Sequence, residues 1–146
     1  MKENRYLLLE NKKDRADYDD FINDPINTNI VNEHKLNMSL EEIFKYRDFI
    51  ISENYSFTYN YTHILIHETL FNKSQKNLLK SFENFIKNTC KTLILFSGGY
   101  DNSYDFRIDE NVIRLLPYVL YNNLSIYLEN PTLENLLGDK FDNRLI

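Results

Sequence analysis

Three short runs of uninterrupted apolar residues constrain this chain more than any other feature: YLLL at Tyr6 to Leu9, ILI at Ile64 to Ile66, and TLILF at Thr92 to Phe96. Such a run is too short for a buried helix and shows no alternation, so it reads as a strand covered on both faces. The stretches between the runs are longer and amphipathic. Asp14 to Ile22 can form a short helix. Asn37 to Ser52 forms a stronger one, with Ser39 as N-cap, Glu42 three residues later as in a capping box, and Leu40, Ile43, Phe44 and Ile51 on one face. The best helical pattern is Asn72 to Asn88, where Leu78, Leu79, Phe82, Phe85 and Ile86 recur at spacings of three and four.

Elsewhere the pattern is weaker. Asn29 to Leu36, through Ile30 and Val31, reads as a further strand after a break at Pro25. Tyr55, Phe57, Tyr59 and Tyr61 alternate with polar residues, which predicts extended chain. A polar loop runs from Ser97 to Arg107. Asp109 then caps a helix through Tyr121 that Pro117 kinks or splits, and Leu124 to Leu128 forms a last strand. Pro131 opens a final helix, Thr132 to Leu137, which Gly138 stops. Strand and helix thus alternate five times, which predicts an α/β domain over residues 1–146, with a five-stranded parallel sheet covered by helices on both faces.

Composition agrees with a globular core: 42% hydrophobic and 27% charged residues in 146. The one cysteine, Cys90, excludes an internal disulfide and a multi-cysteine zinc site; its apolar segment predicts a buried, inert thiol. A net charge of −5 gives no general attraction to nucleic acid. No apolar run approaches the roughly 20 residues of a membrane helix, and the run within MKENRYLLLENKKD is too short for a secretory leader, so the expected location is the cytoplasm.

In parallel sheets the reactive groups stand just after the strands. Here those positions are Glu10 and Asn11, His67 and Glu68, Ser97 and Gly98, then Glu129, Asn130 and Pro131. In this order the chain resembles the receiver domains of bacterial two-component signalling. LLLEN occupies the position of the acidic pair, HILIHE puts Glu68 at the phosphoacceptor aspartate, LILFS puts Ser97 at the hydroxyl, and SIYLENP keeps Pro131 with Asn130 at the lysine. Tyr127 falls at the aromatic switch. The resemblance implies a flavodoxin-like (βα)5 three-layer sandwich and a phosphorylation pocket that is degenerate. Phosphoryl transfer needs Mg²⁺ on acidic oxygens, a short carboxylate nucleophile and a cation. Asn11 lacks the second acidic charge, Glu68 is one methylene too long, and Asn130 carries no charge.

The expectation is therefore a non-catalytic receiver-like module that binds another protein or itself, with no cofactor. Two alternatives stay open. Glu10 and Glu68 could hold Mg²⁺ in a working receiver or a small metal-dependent enzyme. Ser97 to Gly99 could cradle the phosphate of a nucleotide or another anion, although the nearby Asp101 and Asp105 would repel it. His63 and His67 lie about 13 Å apart by strand rise, too far to share an ion. The candidate interface residues are Tyr55, Phe57, Tyr59 and Tyr61, and a second group with Tyr118 and Tyr121, because tyrosine is favoured at interfaces.

Overall fold

Each of the three apolar runs forms a strand, and they lie side by side as β1 (Tyr6–Leu9), β2 (His63–His67) and β3 (Thr92–Phe96). The structure is a computed structural model that describes residues 3–11, 16–98 and 106–141. Two more strands, β4 (Phe106–Asp109) and β5 (Val112–Leu115), complete a five-stranded sheet of order β1-β2-β3-β5-β4. The contacts β1–β2, β2–β3 and β3–β5 are parallel, and β4 pairs antiparallel with β5.

Side-chain alternation divides the apolar runs between two cores. Tyr6, Leu8, Leu65, Ile94, Phe96, Ile113 and Leu115 face one side. They pack against α1 (Ala16–Asn23), α2 (Thr28–Glu33), α5 (Pro117–Glu129) and α6 (Leu133–Leu137). Leu7, Leu9, Ile64, Ile66, Leu93, Leu95 and Val112 face the other, against α3 (Leu40–Ile51) and α4 (Lys76–Lys87). The uninterrupted apolarity of the strands is thus explained by helices on both faces.

The helix ends follow local chemistry. Ser39 Oγ accepts from Glu42 N at 3.2 Å and starts α3. Asn72 and Gln75 form a reciprocal capping box ahead of α4. Thr132 Oγ1 accepts from Asn135 N, and Gly138 ends α6 at φ +54, where a Cβ would stand 2.6 Å from Asn123 Oδ1. Within the described residues, no helix is long and apolar enough to cross a membrane.

Several expectations are corrected. Asn29 to Leu36 is not a strand: Thr28–Glu33 is helical, entered through a 3₁₀ turn that Asp24 caps and Pro25 opens. The tyrosine alternation is not extended; Ser56–Asn60 is a 3₁₀ helix in which the Phe57 ring stacks on Phe49 and Phe82. Asp109 does not cap a helix but closes the β4–β5 hairpin, with Glu110 at φ +58 in the turn. Pro117 neither kinks nor splits a helix; it occupies the first turn of α5, where its missing N–H has no partner to lose. Leu124 to Leu128 lies in the second half of that helix and is not a strand. The sheet is consequently not wholly parallel. Cys90 is exposed, not buried.

Candidate functional site

The carboxyl end of β1 presents Glu10, whose position in the alternation turns its side chain towards α5. It is only 1% exposed. Tyr121 Oη donates to Glu10 Oε1 at 2.9 Å, and the Asn11 backbone N–H donates to Oε2 at 2.6 Å. Burial, reinforced by the Glu10 charge and this hydrogen bond, pushes the Tyr121 phenol well above its ordinary range. Tyr18, on α1, is pushed up to about 12 by burial and then by Glu10 and Asp19. Asn11 reaches across to the end of β2: its Nδ2 donates to Thr69 Oγ1 at 3.0 Å. His67 Nδ1 accepts from Thr69 N at 3.2 Å and lies 2.7 Å from the Thr69 hydroxyl, while the imidazole stands edge-on to Phe96. Replacing Tyr121 with Phe removes a bond to a buried carboxyl, and thermal unfolding should show a loss of about 2 kcal/mol. An unchanged melting temperature would show that Glu10 does not need this donor.

Just past the end of β2, Glu68 opens a 3₁₀ turn, and its carboxylate lies on the opposite face of the sheet. There Arg114, on β5, lies with Nε 4.0 Å from Glu68 Oε1 and makes a bidentate pair with Glu83 of α4, at 3.0 and 2.7 Å. Glu83 is 1% exposed, with Lys80 and Lys87 each 3.9 Å from its carboxylate. Its burial alone would raise the carboxyl pKa, but the Arg114 hydrogen bonds and charge, with the two lysines, outweigh this and hold it below the ordinary range. Lys76 Nζ donates to the Glu68 carbonyl at 2.9 Å.

The structure thus separates Glu10 and Glu68 by the thickness of the sheet. No group of three or more His, Cys, Asp or Glu suited to a metal ion occurs among the described residues. Ser97 follows β3 and donates its backbone N–H to Leu115 O at 3.3 Å. Of the Ser97–Gly99 loop, Gly99 lies outside the described residues, as do Asp101 and Asp105.

Asn130 and Tyr127 do not join these positions. Helix α5 starts at the carboxyl end of β5 and runs back across the sheet, so its own end lies at the amino end of the strands. Tyr6 Oη, on the first residue of β1, donates to Leu128 O at 3.2 Å, and the Tyr127 ring lies against Tyr6 and His63. Asn130 caps the end of α5. The pair that follows the last parallel strand is Leu116–Pro117, not Asn130–Pro131.

Of the tyrosine-rich candidates, Tyr59 is 82% exposed and Tyr118 39%. Phe57 and Tyr121 are buried, Tyr55 is half-buried against Phe82 and Phe85, and Tyr61 hydrogen-bonds through its hydroxyl to that of Tyr46 at 3.1 Å. Sequence reasoning passed over Arg114 and Glu83, although each interrupts an otherwise apolar strand or helix face, as a paired buried charge does.

These positions define an α/β protein with a mostly parallel five-stranded sheet and polar networks at the strand ends. No protein-family model matches the chain, and no curated protein or solved structure is significantly similar to it.

Proposed function

We propose that the chain is a non-catalytic receiver-like module that acts through protein–protein contacts. Its layers support the likeness. Helices α1 and α5 pack together on one face and α3 and α4 on the other, as expected of a flavodoxin-like arrangement in which the chain between α1 and α3 forms a helix, α2, instead of a second strand, and the β4–β5 hairpin stands in place of the crossover helix after β3. On this alignment Pro117 takes the proline that follows the last parallel strand, and Leu116 stands where a receiver has its lysine.

The observation that carries the non-catalytic reading is the state of Glu10. Both its oxygens are engaged by groups of the protein itself, and it is sealed from solvent. Mg²⁺ dehydrates reluctantly and keeps several waters, for which a carboxylate sealed from solvent leaves no room. Glu68, across the sheet, stands beside Arg114 instead. Exposed apolar side chains at Ile26, Tyr59 and Ile126 offer surface for a protein partner.

Thermal unfolding with and without Mg²⁺ plus beryllofluoride, an acyl-phosphate mimic, tests the reading. Binding at 100 times the dissociation constant would add about 2.7 kcal/mol, several degrees for a domain of this size. The expected result is no shift. A clear shift that disappears in Glu68→Ala would show a working phosphoacceptor pocket and overturn the proposal.

A further inference from the structure

The outer edge of the sheet carries a pattern that matches itself. Among the described residues β4 pairs only with β5. On β5, Ile113 and its odd-numbered neighbours serve β3: Leu93 N donates to Asn111 O, and Ser97 N to Leu115 O. The backbone groups of Val112 and Arg114 therefore point to β4, where their partners are Asp109 and Arg107. By the same alternation, the N–H and C=O groups of Phe106 and Ile108 point outward from the sheet. Arg107 and Asp109 are exposed on the α4 side, where Asp109 also pairs with Lys87; Phe106 and Ile108 are half-buried on the other.

We propose that two copies of this chain pair their β4 strands antiparallel about a two-fold axis at Ile108, continuing the sheet from one copy into the other. In this register Ile108 faces Ile108, and the two exchange both backbone hydrogen bonds, which is what its outward groups require. Arg107 then faces Asp109 of the second copy, and Asp109 faces Arg107. The register that sets Phe106 opposite Ile108 also uses outward groups, but it brings Arg107 against Arg107. Charge therefore favours the Ile108 pairing over that one, while the same charges discourage unrelated strands from adding to the edge. The surface is isologous, so it closes at a dimer.

The proposal names a partner for the interaction module and to that extent rests on it, but the two fail separately. Loss of the dimer leaves the beryllofluoride result unchanged, and a beryllofluoride shift leaves the dimer mass unchanged. The test is sedimentation equilibrium of the purified chain from micromolar to millimolar concentration. A monomer–dimer equilibrium that weakens with added salt is expected, together with amide-exchange protection of Phe106 and Ile108 that grows with concentration. Arg107→Asp sets like charges opposite each other at both ends of the pair and should weaken dimerisation about tenfold. The exchange Arg107→Asp with Asp109→Arg restores opposite charges and should recover most of that loss. Ile108→Pro removes an outward N–H that β5 does not use, so it should abolish the dimer and leave a folded monomer, checked by its thermal transition. A monomer throughout the concentration range overturns the proposal. So does a dimer indifferent to Arg107→Asp, or one that survives Ile108→Pro.

Discussion

Arg114→Ala is expected to destabilise the chain by about 3 kcal/mol and to lower its melting temperature by roughly 10 °C. Arg114 holds both oxygens of Glu83, and Glu83 is almost completely buried between α4 and the sheet. Truncating the arginine leaves a carboxylate in a poorly hydrated site with only Lys80 and Lys87, each 3.9 Å away, to compensate. The cost is that of an uncompensated buried charge rather than the worth of the pair. Replacing both partners with apolar residues of similar volume, Glu83→Leu with Arg114→Met, should therefore cost less than Arg114→Ala alone. Urea denaturation of the wild type, the single variant and the double variant measures both. A single variant as stable as the double would show that the site is wet enough to solvate Glu83. Acid adds a check. The Glu83 carboxyl titrates below its ordinary value of 4.5 in the folded chain. Its stabilisation is present above that pH and is lost as pH falls through the lower folded value, and the loss should be smaller in Arg114→Ala.

Mild acid should weaken the fold before the carboxylates begin to titrate. His63 is lowered from 6.5 to about 4 by burial. It is 9% exposed, packs against Tyr6 and Tyr127, and bonds through Nδ1 to the neighbouring Thr62 hydroxyl at 2.8 Å. His34 stands edge-on to the same Tyr6 ring. The unfolded chain takes up a proton at His63 below about pH 6.5, whereas the folded chain does so only near 4. The stabilisation is complete above 6.5 and is lost progressively as pH falls towards 4. The loss should reach roughly 2 kcal/mol by pH 5 and roughly 3 kcal/mol near pH 4. Urea midpoints at pH 7 and pH 5 report it, and His63→Phe, which keeps an aromatic ring in the cluster, should flatten the difference. A wild-type curve with no slope between those two values would show that water reaches the imidazole.

Much of the architecture is legible in local sequence. Tyr6–Leu9, Ile64–Ile66 and Leu93–Phe96 are apolar at every position, and only a strand covered on both sides hides so short a run. The period of Leu79, Phe82 and Ile86 specifies one face of α4, and Ser39 and Asn72 supply oxygens to otherwise unpartnered N–H groups. These signals lie within a turn or two of the residues they govern. The strand-end positions Glu10, Asn11, Glu68 and Ser97 follow from the same runs.

What tertiary structure decided lies where local preference is weak or two-sided. Val112 to Leu115 becomes a strand because β3 and β4 offer it hydrogen bonds, which no local window contains. Leu124 to Leu128 is as apolar as a strand, yet it continues the helix that Pro117 begins and lies on the sheet through Leu124 and Leu128. The tyrosine alternation of 55–61 yields to ring packing on α4, and Ile30 and Val31 yield to a helix that buries only Val31. The same holds at the site. Sequence order brought Asn130 into line with Glu10 and Ser97, but α5 carries it to the other end of the sheet. The fold set Glu10 and Glu68 on opposite faces, because it assigns each side chain a direction as well as a position.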